Sequence, residues 1–130
     1  MSHIEPLDRA AITDPELLAL MARAEALGVP DDLFTRILAR VPSYAKVLLN
    51  ALLVSHGRGN VDHRLKEIIR IQLARFAGDS YFSALRSKAA LAAGLSEDDI
   101  DAGCADYDDD PRFTEAEKIA LRYADRKSVV

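Results

Sequence analysis

The 130-residue sequence has no tryptophan and only one cysteine, Cys104. One cysteine cannot form an internal disulfide framework, so a reducing cytoplasm is the expected compartment. The first residues show no basic region followed by an apolar stretch, and no secretory signal is predicted. The apolar runs are only a few residues long, so no membrane span is expected either.

Basic residues are not gathered into a stripe, and the formal net charge is -4. This balance argues against nucleic acid as a partner. Hydrophobic residues make up 49% of the chain, which is ample for one packed core. We therefore predict a single helical domain over residues 13–130, preceded by an irregular arm over residues 1–12.

The pattern of apolar residues is helical almost throughout and predicts an all-α fold, a compact bundle of about six to seven helices. No stretch combines alternating polarity with β-branched residues, as a strand would. The fourth helix, Asp62–Gly78, and the fifth, Asp79–Gly94, are expected to form a central hairpin. Capping residues and prolines place the expected helix starts near Thr13, Asp31, Pro42, Asp62, Asp79, Ser96 and Thr114.

One segment, residues 61–102, carries a recognisable pattern: Glu67, then Ala77-Gly78-Asp79-Ser80-Tyr81-Phe82, then Arg86, then Ala93-Gly94-Leu95-Ser96. It resembles the core helical hairpin of the carboxymuconolactone decarboxylase and alkylhydroperoxidase D superfamily. The likeness extends over most of the chain from about Val29. It implies a homo-oligomer, a trimer or a hexamer, and peroxidase or decarboxylase activity.

The most specific motif of the alkylhydroperoxidase branch is missing. That branch has a glutamate, a Cys-x-x-Cys pair and a later histidine. Glu67 matches the glutamate, but Asp79 and Phe82 stand where the resemblance puts the cysteines, and Arg86 replaces the histidine. A peroxidatic cysteine attacks as a thiolate and needs a second thiol to resolve its sulfenic acid. The decarboxylase branch, by the same resemblance, carries Glu and His at positions 82 and 86, which are also absent here.

Glu67 is the first candidate catalytic residue. By resemblance it faces a pocket as an acid or base, and His63, one turn earlier, could share a proton with it. The alternative is a solvated glutamate paired with Arg64 or Arg70.

Arg86, Asp79 and Tyr81 complete the candidate site. On one continuous fifth helix Asp79 and Arg86 share a face, which would bring Arg86 near Glu67 and Asp79. The arrangement predicts either a clamp for a small organic acid, since guanidinium binds carboxylates in a bidentate manner, or a structural ion-pair cluster. Tyr81 could assist in the first case.

No metal or cofactor is expected. The acidic loop from Asp106 has EF-hand spacing, but Pro111 stands where that loop needs a glycine with positive φ. Cys104 lies between Asp101 and Asp106, and negative neighbours raise a thiol pKa.

Three functions remain open on this sequence. The first is a redox-silent oligomer that has lost peroxidase chemistry and binds a small organic acid or has a structural role. The second is a non-thiol enzyme, of decarboxylase, lyase or isomerase type, that uses Glu67 as acid or base on a small carboxylate. The third is the family's own peroxidase activity.

Overall fold

The computed structural model describes residues 4–127, which divide between Asn60 and Val61 into two compact units. All regular structure in this range is helical, which confirms the predicted all-α class. The predicted arm includes residues 1–3 and the predicted domain includes residues 128–130, and both stretches lie outside the described range. A single domain over residues 13–130 therefore stays a prediction. A short 3-10 turn, Arg9–Ala11, precedes the first α-helix.

The first unit contains helices α1 (Pro15–Leu27), α2 (Asp32–Leu38) and α3 (Pro42–Gly57). The Asp14 carboxylate caps α1 by accepting the Leu17 amide at 3.0 Å, and Pro15 provides the fixed φ of a first helical position. The three helices pack on one another around a core of Leu17, Leu20, Met21, Ala24, Ala45, Leu49 and Leu53.

The second unit contains the remaining helices: α4 (His63–Phe76), α5 (Ser80–Ala84), α6 (Lys88–Ala92), α7 (Glu97–Gly103) and α8 (Glu115–Lys127). Helix α4 packs against all four of the others, so it is the central helix of this unit. Its buried side chains join a core of Leu65, Ile68, Ile71, Ala90, Leu95, Ile100, Phe113 and Leu121.

Local capping sets the starts of α7 and α8 where the sequence predicts them. Ser96 Oγ accepts the Asp99 amide, and the Asp99 carboxylate accepts the Ser96 amide, both at 3.1 Å. The same reciprocal pair joins Thr114 and Glu117 before α8. Each box satisfies backbone amides that a helix start leaves without intrahelical partners.

The predicted fifth helix, Asp79–Gly94, is not continuous. Residues 85–87 are not helical, and they separate α5 from α6. Leu85 has ψ 149° and Ser87 has ψ 127°, both in the extended region. Ser87 then caps α6 by accepting the Ala90 amide. The periodicity of the sequence did not reveal this interruption.

Helices α4 and α7 come together with almost no space between them at Gly103. A Cβ atom at this position would collide with Ile68 Cγ2 on α4. Glycine allows this approach because it has no side chain. The distance between the two helices is therefore set by contact of the Gly103 main chain with the Ile68 side chain.

No helix within residues 4–127 is both long and apolar enough to cross a membrane.

Candidate functional site

Glu67 lies on α4 with 0% of its surface exposed. Arg70, three residues later, binds it in a bidentate manner: Nε donates to Oε2 at 3.0 Å, and Nη2 donates to Oε1 at 2.8 Å. Only 14% of the Arg70 side chain is exposed, so the pair is a buried one. Of the two interpretations of the sequence, the structure agrees with a Glu67 paired with Arg70. The glutamate is buried, however, and not solvated as that interpretation expected.

The Arg70 guanidinium also holds the main chain where α5 ends. Its Nη1 donates to the Phe82 carbonyl at 2.6 Å, and its Nη2 donates to the Leu85 carbonyl at 2.7 Å. In an uninterrupted helix those carbonyls would accept amides four residues later. Arg70 thus supplies donors to oxygen atoms that the interruption leaves without intrahelical partners.

Glu67 completes the interruption from the other side. Its Oε1 accepts the Ser87 amide at 2.7 Å, and Ser87 is 2% exposed. In a continuous helix that amide would donate to the Ser83 carbonyl, which instead accepts Arg86 Nη1 at 2.6 Å. Side chains therefore replace the main-chain hydrogen bonds that would have joined α5 to α6, which explains physically why the predicted fifth helix is divided.

Arg86 has a different partner from the one its sequence position suggested. Its Nε and Nη2 donate to the two carboxylate oxygens of Glu97, at 2.7 and 2.9 Å. These hydrogen bonds raise the pKa of Arg86 and lower that of Glu97. The Glu97 side chain is 62% exposed and that of Arg86 is 21% exposed, so the pair lies at the surface.

The predicted cluster of Arg86 with Glu67 and Asp79 is therefore wrong in its direct contacts. Glu67 acts on Arg86 only as a weaker through-space charge. Asp79 caps α5, where its carboxylate accepts the Phe82 amide at 2.9 Å. The error has one cause: residues 79 and 86 share a face only on a continuous helix, and the chain turns at Leu85.

The other two candidates are His63, which the sequence predicts to share a proton with Glu67, and Tyr81, which it predicts to assist with a ligand. His63 is the first residue of α4 and half-buried, and the hydrogen bonds that Glu67 accepts come from Arg70 and Ser87. Tyr81 is half-buried, and its ring meets the Phe82 ring edge-on, with centroids 5.1 Å apart. Tyr81 lies on α5, directly before Phe82, whose carbonyl accepts a hydrogen bond from Arg70.

Cys104 follows α7 and is half-buried. Burial raises the pKa of its thiol, Asp101 raises it further, and Arg75 partly offsets both. The predicted direction of the pKa shift is confirmed, although burial rather than negative charge is the main cause.

Two aspartates of the acidic loop form ion pairs. Asp108 pairs with Arg122, and Asp110 pairs with Arg112 at 2.8 Å. Within the part of the chain described, no three side chains of metal-ligand type converge.

Sequence reasoning missed two residues of this site, Ser87 and Glu97. Ser87 acts through its backbone amide, which no residue-type pattern reports. Glu97 reaches Arg86 across eleven residues and a turn. The pairing of Glu67 with Arg70 had a usable signal, since residues three apart are neighbours on a helix.

Comparison with known proteins supports the family that the hairpin suggested. Residues 42–125, well over half of the chain, match the carboxymuconolactone decarboxylase family. Neither curated proteins nor solved structures give a match. The matched range begins at α3 and includes both Glu67 and the divided α5–α6 segment. The chain therefore belongs to the carboxymuconolactone decarboxylase family.

Proposed function

We propose that this chain is a redox-silent member of its family, which acts by assembly and ligand binding rather than by thiol turnover. The observation that carries the proposal is the state of Glu67. Its carboxylate is fully buried, is bound in a bidentate manner by Arg70, and accepts the Ser87 amide. In this interpretation the residue that matches the family's acid or base stabilises the turn between α5 and α6.

An acid or base must lie within hydrogen-bonding reach of the proton that it transfers. A substrate could reach the Glu67 carboxylate only by displacing Arg70 or the segment that contains Ser87. Either displacement would leave a buried charge without its partner, which is costly. The positions of the missing thiols support the same conclusion, because Asp79 caps a helix and Phe82 packs its ring against Tyr81.

Peroxide consumption tests the loss of thiol chemistry. The purified protein is assayed with an organic hydroperoxide and dithiothreitol, beside the Cys104→Ser variant. We expect both proteins to consume peroxide at the rate of the buffer, because burial raises the pKa of the Cys104 thiol and leaves little thiolate to attack the peroxide. Turnover by the wild type that Cys104→Ser abolishes would contradict the proposal.

A homo-oligomer of three or six chains is part of the proposal. The family resemblance suggests it, and one side of α3 supports it. Tyr44, Val47 and Val54 lie at helical spacings of three and seven residues, and Val47 is 73% exposed. Exposed apolar residues that line up in this way are typical of contact surfaces.

Sedimentation tests the assembly. Wild type at micromolar concentration should sediment as a trimer or hexamer, and Val47→Glu should shift it toward the monomer because a buried charge opposes contact. Val61→Glu, an exposed valine outside α3, is the matched control and should not change the assembly. A stable folded wild-type monomer over the whole concentration range would refute this part.

A small organic acid is the candidate ligand, and one observation favours it. Arg86 already binds a carboxylate in a bidentate manner, that of the largely exposed Glu97. An external carboxylate could take the same place only in competition with Glu97. Binding to the wild type is therefore expected to be weak.

A further inference from the structure

Helix α3 carries a line of exposed apolar residues, the α3 stripe, which is formed by Tyr44, Val47, Ala51 and Val54. These residues follow one another at spacings of three, four and three, which keeps them on one side of the helix. The buried side of α3 is a different one, and it packs into the core of the first unit through Ala45, Leu49 and Leu53. The stripe is therefore a second apolar side of α3 that this core does not cover.

The α3 stripe carries no charge, and the helix as a whole carries little. Among its 16 residues, all of which the structure describes, Lys46 is the only lysine, arginine, aspartate or glutamate. Its Nζ lies 3.1 Å from Asp14 and 3.0 Å from Glu16, so it is paired with the start of α1. The solvent side of a surface helix is ordinarily polar and charged, whereas the centre of a protein interface is poor in charge and rich in tyrosine. The exposed side of α3 has the second composition.

The spacing of the α3 stripe reads the same from either end. If two copies of α3 lie antiparallel, Val47 of each therefore lies opposite Ala51 of the other, and Tyr44 lies opposite Val54. In both pairs the larger side chain meets the smaller, and no like charges meet. A two-fold contact requires such a surface, because the same residues must complement one another from both sides.

A parallel contact fits less well. It would place Ala51 against its own copy and leave a gap between two small side chains. It would also bring the two helix N-termini together, whereas antiparallel helices place opposite ends of their dipoles side by side. We propose that the α3 stripe binds the α3 stripe of a second copy of this chain, antiparallel, about a two-fold axis midway between Val47 and Ala51.

This contact rests on the proposed homo-oligomer and identifies one of its surfaces. Four side chains from each copy are few for a stable free dimer, so other surfaces are expected to contribute to the assembly. A two-fold contact joins chains in pairs. Of the assemblies with three and six chains, it therefore selects the one with six.

Disulfide cross-linking tests the contact. Cys104→Ser removes the only cysteine, and Val47→Cys and Ala51→Cys are introduced into that background in separate chains. The two chains are co-expressed with different affinity tags, purified through both tags and oxidised with copper phenanthroline. Each chain expressed alone and oxidised in the same way is the matched control.

We expect the co-expressed chains to give a cross-linked dimer that carries both tags, and either chain alone to give only background. Two cysteines form a disulfide only when their Cα atoms lie within about 7 Å. In the antiparallel contact, position 47 of one copy is offset from position 47 of the other by four residues, about 6 Å along axes that lie about 8–10 Å apart. Cross-linking by Val47→Cys alone that equals that of the mixture would indicate a parallel contact and overturn the proposal.

A second pair and sedimentation complete the test. Tyr44→Cys with Val54→Cys is an independent pair and should give the same result. A wild-type assembly of three chains, or an oligomer in which neither pair cross-links, would overturn the two-fold contact but leave the proposed homo-oligomer intact. A wild-type monomer would refute both.

Discussion

The Ser87 amide donates to Glu67 Oε1 at 2.7 Å, across twenty residues of sequence. This bond occupies the amide that would otherwise continue α5 into α6. The glutamate that the family resemblance marks as acid or base thus has a folding role that can be measured separately from any catalysis. Its contribution to the free energy of unfolding is the first quantity to measure.

Arg70→Met should lower the free energy of unfolding by about 3–5 kcal/mol, because it leaves the Glu67 carboxylate buried without its partner. Arg70→Lys keeps the charge but loses the bidentate geometry, so its effect should lie between those of wild type and Arg70→Met. Urea unfolding followed by circular dichroism measures both.

Arg122→Met is the control for that measurement. Arg122 pairs with Asp108 at the surface, where the two side chains are 39% and 55% exposed. Its loss should cost little stability, since solvent screens such a pair. Equal costs for Arg70→Met and Arg122→Met would refute the structural role assigned to the Glu67–Arg70 pair.

Glu97→Ala should make Arg86 available to external carboxylates. The variant should lose about 1 kcal/mol or less of stability, because Glu97 is largely exposed. Millimolar benzoate should then raise its melting temperature by mass action but leave wild type nearly unchanged. Thermal unfolding with and without benzoate provides the comparison, and Glu97→Ala with Arg86→Met is the control that should not respond. Equal stabilisation of wild type and Glu97→Ala would show that Glu97 does not occupy the carboxylate position.

The stability contributed by Asp99 should depend on pH. Burial opposes its ionisation, but hydrogen bonds from Ser96 and Arg64 outweigh burial and hold the pKa below the ordinary 3.8. A lowered folded pKa means that the contribution is complete above the unfolded pKa and is lost as pH falls through the folded one. Asp99→Asn should therefore cost about 1–2 kcal/mol at neutral pH and progressively less below about pH 4.

Urea unfolding of wild type and Asp99→Asn over the acid range measures this difference. Asp98→Asn, an exposed neighbour on α7, is the control and should show little difference at any pH. A cost for Asp99→Asn that is constant from neutral to strongly acid pH would contradict the assignment.

Cys104 should react slowly and only in alkaline solution. Its raised thiol pKa reduces the thiolate fraction at neutral pH, and the thiolate is the nucleophile. The midpoint of the alkylation rate against pH should lie above that of the same protein in urea. A midpoint at or below the unfolded value would show that the thiol is not held in the half-buried position described above.

Much of the fold follows from short-range sequence signals. The Asp14, Asp62, Ser96 and Thr114 caps each act on an amide three residues away, so the starts of α1, α4, α7 and α8 are predictable from local residues. The all-α class follows from the helical spacing of the apolar residues along the chain. These features need no knowledge of tertiary structure.

The interruption at residues 85–87 is different, because its causes lie on another helix. Phe82, Leu85 and Ser87 have unremarkable helix propensities, and their main-chain groups are taken by side chains twelve to twenty residues earlier. The partner of Arg86 could not be predicted for the same reason, since the direction of its side chain depends on that turn. The site residues themselves stay a prediction, and how they pair could not be read from the sequence because it depends on contacts between distant residues.

Gly103 limits how this part of the molecule can evolve. Its missing side chain lets α7 lie against Ile68, and its carbonyl accepts the amide of Gln72. With any larger residue Ile68 or α7 would have to shift, because the added Cβ would overlap Ile68 Cγ2, so the packing of α4 against α7 would change. A library randomised at this codon and selected for soluble protein should therefore be enriched in glycine.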